Sequence, residues 1–162
     1  MRLWHKDLID VLPRQQLMGQ WRECCLIARQ ISVLGRPNHI LVNKIMDYPI
    51  EHFILYAENV YLEMKNRGYS CDFKKFMQYF QECDAKQIRA ETIDETIFHY
   101  WHDHNYLNVC YYNLKEKYDC GGVPEDEWQK FANKYYQLKH LYFNSILENY
   151  KMLKKMKRIQ ED

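Results

Sequence analysis

The sequence predicts an all-α fold: a compact single-domain helical bundle that ends in a long C-terminal helix. Apolar residues recur at helical spacing along most of the chain. Five Gly and four Pro are too few to punctuate the many tight turns of an all-β fold. No pair of alternating apolar-polar stretches reads as a hairpin. A length of 162 residues fits one domain, so residues 1–162 are read as one unit, with a basic extension over about 151–162. An apolar share of 47% supplies a core of ordinary size. The 14 Tyr suit half-buried helix faces, because each ring carries a polar tip.

Each helix carries its own boundary signals. Pro13 suits the first turn of a helix whose apolar stripe is Leu17, Trp21, Cys24, Cys25, Ala28 and Ile31. Gln15, Gln16, Gly19, Gln20, Arg22 and Glu23 fall on the other side and are expected to face solvent. Gly35-Arg36-Pro37-Asn38 ends this helix. A second helix runs from Pro49 to about Arg67, with Gly68 beyond its end. Asp72 caps a short helix carrying Phe73, Phe76 and Phe80. Residues 83–98 read as a loop with one or two helical turns. Tyr106, Cys110, Leu114 and Tyr118 mark a helix closed by Gly121-Gly122. Pro124 opens the last helix, whose stripe of Trp128, Phe131, Tyr135, Leu138 and Tyr142 repeats at 3-4-3-4 spacing. Continued past Lys151, that helix would be a rod of about 50 Å at 1.5 Å per residue.

A net charge of +1 excludes a uniformly basic protein, but the charge is unevenly spread. Residues 1–44 hold seven Arg or Lys against three acids, and Lys151 to Arg158 hold five cations and no acid. The acids gather near Glu91 to Asp103 and Glu125 to Glu127. Two basic ends on a neutral body can form one phosphate-binding face, or remain ordinary solvated charge. The first dozen residues carry Arg2, Lys6, Asp7 and Asp10 and do not read as a secretory leader. No stretch is apolar enough to span a membrane. The six Cys include no C-x-x-C pair and are read as reduced packing thiols, so the expected setting is cytoplasmic.

The most informative stretch is MRLWHKDLIDVLPRQQLMGQWRECC. It combines an Arg next to the first residue, L-x-x-Q-x-L-M over Leu12 to Met18, and the triplet Trp21-Arg22-Glu23. In these elements and their spacing the chain resembles the pyrimidine-dimer DNA glycosylases, the bacteriophage endonuclease V type and its bacterial relatives. Arg67-Gly68-Tyr69 and the helix from His102 to Lys117 carry the likeness further, more loosely.

The resemblance implies a DNA N-glycosylase with abasic-site lyase activity. It acts on double-stranded DNA carrying a pyrimidine lesion and uses no cofactor and no metal. The nucleophile is the α-amine at the chain terminus, which attacks the anomeric carbon of the sugar and releases the base as a Schiff base forms. Such an amine ordinarily has a pKa of roughly 7.7–8.0, so about a tenth is neutral at pH 7. Glu23 matches the carboxylate that moves protons. The implied catalytic residues are therefore Met1, Arg2 and Glu23. Candidate DNA contacts are Arg14, Gln15, Gly19, Arg22 and Arg29. Gln15, Gly19 and Glu23 form one i, i+4 row, and Gly19 leaves room for a strand or sugar to approach. On the helix alone, Arg22-Glu23 reads first as a local surface ion pair, and the resemblance reverses that reading.

The chain also departs from the family pattern. Arg2 is too large to favour removal of Met1, so either Met1 supplies the amine or Arg2 becomes the terminus. The family's third Arg falls on Leu26, with Arg29 one turn later as a substitute. His99, His102, Asp103 and His104 hold enough ligand atoms for a metal, but straddle a loop–helix boundary without a familiar ligand spacing. His102 is instead expected to contact a phosphate or cap the following helix. The aromatic stripe of the last helix is read as core before base-stacking surface. Two rivals to the glycosylase stay open: a silent helical module that binds nucleic acid or protein, and a lyase confined to abasic sites. No obligatory protein partner is expected.

Overall fold

The computed structural model describes residues 1–80 and 97–161, with side chains described through Leu153. The expected loop over 83–98 falls outside the described residues except for Ile97 and Phe98, as do Cys83 and the acids before them. Five α-helices are described: α1 (Arg14–Leu34), α2 (Ile50–Asn66), α3 (Phe73–Met77), α4 (His104–Asp119) and α5 (Glu125–Glu161). Single 3-10 turns cover Lys6–Val11, Asn43–Asp47 and Gln78–Phe80. Among the described residues there is no strand. The predicted all-α fold with a long C-terminal helix is borne out.

The helix ends follow the chemistry of the sequence. Pro13 precedes α1, and Gly35 closes it at φ 72°, a left-handed conformation that Gly adopts without a Cβ clash. Asp72 accepts the Lys75 N–H at the start of α3. Asp103 accepts the Tyr106 N–H at 2.8 Å and caps α4, so the cap expected from His102 is supplied one residue later. His102 points inward, because its ring is needed there as a hydrogen-bond acceptor.

Two aromatic seams hold the bundle. Trp21 of α1 meets Tyr61 of α2 and Phe76 of α3 at ring separations of 5.9 and 5.8 Å. Between α4 and α5, Tyr111 stacks on Tyr135 at 3.9 Å and Tyr118 on Trp128 at 4.8 Å. Tyr135 and Phe131 are fully buried, so this part of the last helix is core.

The centre of the fold is a non-helical thread, Met1 to His5. Leu3, Trp4 and His5 are buried, yet no strand runs beside them to satisfy their backbone. Side chains do so instead. Gln20 of α1 accepts the Trp4 N–H at 2.9 Å. Tyr56 of α2 donates its hydroxyl to the Trp4 carbonyl at 2.8 Å. Tyr106 of α4 donates to the Leu3 carbonyl, and Cys110 takes the His5 N–H through sulfur. His102 Nδ1 accepts the Lys6 N–H at 2.9 Å. These contacts recruit α1, α2 and α4 onto one thread, because a buried peptide group left unpaired costs about 1–3 kcal/mol. Arg67, at the end of α2, completes the entry by donating to the Leu12 and Asp10 carbonyls at 2.6 and 2.8 Å.

The rings of His5 and His102 stack at 5.3 Å, and His5 Nε2 hydrogen-bonds the His102 carbonyl at 2.8 Å. Burial holds both imidazoles below the usual histidine pKa, His102 well below. Both are therefore neutral in the fold and take up protons on unfolding. Their contribution is complete above the unfolded value of about 6.5 and shrinks as pH falls below it. The melting temperature should be level between pH 7 and 8 and fall between pH 6.5 and 5, before carboxylates titrate. A flat profile over that range would remove the two histidines from the stability of the thread.

Candidate active site

Glu23 lies on α1 where the thread begins. Its Oε2 accepts the Arg2 backbone N–H at 2.9 Å, and its Oε1 stands 3.8 Å from the Met1 amine. The side chain is about one-third exposed (34%), so one carboxylate both fixes the thread and faces solvent beside the amine. Three of the residues singled out by the sequence, Met1, Arg2 and Glu23, thus converge within one site.

Two clefts share the Glu23 carboxylate. One, of about 340 Å³, is lined by Gln15, Gly19, Arg22 and Glu23 on α1, closed by Trp4 and Lys117. The other, of about 250 Å³, is lined by Met1, Arg2, His39, Asn113 and Lys117 among others. The row of Gln15, Gly19 and Glu23 is therefore one wall of an open cleft. A Cβ placed on Gly19 would meet nothing within 4 Å. No packing contact explains this glycine, which inside a helix costs roughly 0.5–1 kcal/mol relative to Ala. Open space over the backbone is what it provides.

Two other candidates sit elsewhere. Arg14 donates its backbone N–H to Glu127 at 3.2 Å, and its guanidinium lies 5.7 Å over the Tyr69 ring. Arg29 is exposed on α1 and lines neither cleft.

Lys117, Asn113 and His39 join the site from other elements, and the sequence reading did not place them there. Lys117 Nζ lies 5.7 Å from the centre of the Trp4 ring, a cation–π position. A signal for it existed. The buried stripe of α4 runs Leu107, Cys110, Tyr111 and Leu114, and a lysine follows three residues later, where another apolar residue would continue it.

The solvent-facing set expected on α1 needs correction. Gln20 is 1% exposed and Gln16 is also buried. The thread crosses this side of α1, so Gln20 is turned inward to accept from Trp4 and to donate to Cys24 Sγ at 3.7 Å. Cys24 is buried and Cys25 half-buried, and both are free thiols. Burial raises both thiol pKa values, as expected for packing residues.

Among the described residues no three His, Cys, Asp or Glu converge to hold a metal. The 99–104 cluster is dispersed, with His99 against Tyr100 at 4.0 Å, His102 in the core and Asp103 at the helix cap. None of the described helices is long and apolar enough to cross a membrane.

The architecture is that of a small helical domain whose terminal amine and a helix-borne carboxylate face open clefts flanked by cations. Residues 1–77 match the family model described as pyrimidine dimer DNA glycosylase, and the resemblance seen in the N-terminal motif is borne out over that stretch. The match spans α1 to α3, the stretch in which Met1, Arg2, Gly19, Arg22 and Glu23 lie. No curated protein and no solved structure matches the chain.

Gln20→Leu isolates the contribution of the thread to this arrangement. It leaves the Trp4 N–H buried without an acceptor, so urea unfolding should show a loss of about 1–3 kcal/mol. A variant as stable as the parent would mean that another group satisfies Trp4.

Proposed function

We propose that this protein is a DNA N-glycosylase with abasic-site lyase activity on duplex DNA carrying a pyrimidine lesion. The α-amine of Met1 is the nucleophile and Glu23 the acid–base. The observation that carries this reading is the Met1 amine beside Glu23 Oε1 at 3.8 Å, between two open clefts. The match of residues 1–77 supports it.

In the first step the neutral amine attacks C1′ of the damaged nucleotide. A C1′–N bond forms, the glycosidic bond breaks, and the base leaves with its bonding electrons and is protonated. The nitrogen loses a proton to Glu23, which passes it to the ring oxygen O4′ as the sugar ring opens, and a protonated imine remains. Loss of a proton from C2′ then expels the 3′ phosphate and cuts the strand. The hydrogen bond that Glu23 accepts from the Arg2 N–H keeps the carboxylate aimed during these transfers. A preset geometry of this kind lowers the barrier by removing the search for alignment. The space over Gly19 admits the sugar–phosphate strand, and Arg2, Arg22 and Lys117 supply cations for its phosphates. Reaching C1′ requires distorting the duplex or flipping a nucleotide, which costs a few kcal/mol and least at damaged sites.

Blocking or displacing the amine is the decisive test. Residues added before Met1 move the amine by up to ~3.5 Å each. An N-terminally extended or acetylated protein should fail to form a borohydride-trapped adduct with abasic DNA, with circular dichroism unchanged. Glu23→Gln can still accept from Arg2, so it should fold and bind DNA while losing most base excision. Trapping by the extended protein at the parental level would overturn the amine mechanism. A parent that binds DNA but never traps would identify the silent binding module instead.

DNA affinity should depend on salt. With about four phosphates neutralised, log affinity falls against log salt with a slope near −3.6. Lys117→Gln should shallow that slope by about 0.9, and an unchanged slope would take Lys117 off the phosphate path.

A further inference from the structure

Between Phe143 and Leu153, α5 carries an apolar face that is open among the described residues. Every residue from Ser145 to Leu153 is exposed. Phe143, Ile146, Leu147, Tyr150 and Leu153 keep between 41% and 63% of their surface open. Phe143 and Tyr150 are seven residues apart, as are Ile146 and Leu153, giving the 3-4-3 spacing of a coiled-coil seam. In proteins most helical stability comes from the packing of an apolar face.

We propose that two copies of this chain pair through this face as an antiparallel, two-fold-symmetric dimer. In that register Phe143 lies opposite the partner's Leu153, and Ile146 opposite the partner's Tyr150. Three observations select this occupant and this direction. At the base of the stripe an apolar groove of about 190 Å³ opens between α4 and α5, lined by His104, Leu107, Tyr142, Phe143 and Ile146 among others. Antiparallel pairing brings the partner's Leu153 over this groove, and the symmetry fills the partner's groove in return.

Charge points the same way. Parallel pairing would set two tails, each with five cations from Lys151 to Arg158, side by side. Antiparallel pairing separates the two residues 157 by roughly 27 Å along the axis, more than three Debye lengths of about 8 Å. Area agrees as well. Five side chains with on the order of 100 Å² each still open, plus the flanking stems and the groove, approach the ~800 Å² per partner of a standard interface.

The interface leaves the Glu23 clefts free. His104, at the groove, and Lys117, at the clefts, sit at opposite ends of α4, roughly 20 Å apart at 1.5 Å per residue.

Sedimentation velocity on the full chain from about 1 to 100 µM tests the pairing, expecting a dimer of twice the 20.0 kDa chain mass. Ile146→Asp, at an exposed position, should weaken the dimer at least about 100-fold, since both copies lose an anchor. Val33→Asp, equally exposed on α1, should leave it unchanged. For direction, cysteines are introduced in a Cys120→Ser background. Phe143→Cys mixed with Leu153→Cys should cross-link, and Leu153→Cys alone should not. A monomer at 100 µM, a dimer indifferent to Ile146→Asp, or cross-linking of Leu153→Cys with itself would overturn the proposal.

Discussion

A buried chain segment without a sheet around it must find hydrogen-bond partners one by one. The thread from Met1 to Lys6 meets this requirement with the side chains of Glu23, Gln20, Tyr56, Tyr106, Cys110 and His102. Those groups come from three helices and the turn before α4. The helices are thus fixed relative to one another by what the thread needs, as well as by their aromatic seams. Each such bond contributes only about 1 kcal/mol net, but leaving its buried partner unpaired costs more. The set is retained or lost largely as a whole.

The same thread joins stability to position. A chain terminus ordinarily frays within a few residues. Here Leu3, Trp4 and His5 are locked in the core, with the Arg2 N–H and the Met1 amine at the two oxygens of one carboxylate. The interactions that bury Trp4 also set the distance between amine and Glu23. Loss at Tyr56 therefore reaches the site without touching it. The histidine pair sits one residue further along the thread, so protonation there acts on the same anchor.

The sequence was most legible where a residue acts through its own backbone or its own helix. Pro13, Gly35, Asp72 and Gly121 marked element ends because each has a local conformational or capping reason to stand there. Glu23, Arg22, Gly19 and Gln15 were legible because i, i+4 spacing is a property of one helix. What needed the fold came from elsewhere in the chain. Gln20 reads as a solvent-facing residue until the thread is laid across α1. His102 reads as a surface ligand until its Nδ1 is required by the Lys6 N–H. Lys117, Asn113 and His39 join the clefts from α4 and the turn after α1, and no local pattern links them to Glu23. Arg14 had the right charge on the right helix but the wrong side of it, and lies against Tyr69.

One carboxylate serving both the thread and the clefts imposes a constraint on the site. Glu23 holds the Arg2 N–H through a carboxylate oxygen, and charge-assisted bonds are roughly twice as strong as neutral ones. As an acid–base it would also have to exchange a proton. The geometry divides these tasks between its two oxygens. Oε2 is engaged with the thread, while Oε1 faces the amine at a distance longer than a hydrogen bond. A shorter amine–carboxylate contact would favour a protonated, unreactive amine. Beside the carboxylate, Gly19 leaves the helix backbone uncovered, and no packing contact accounts for a glycine there.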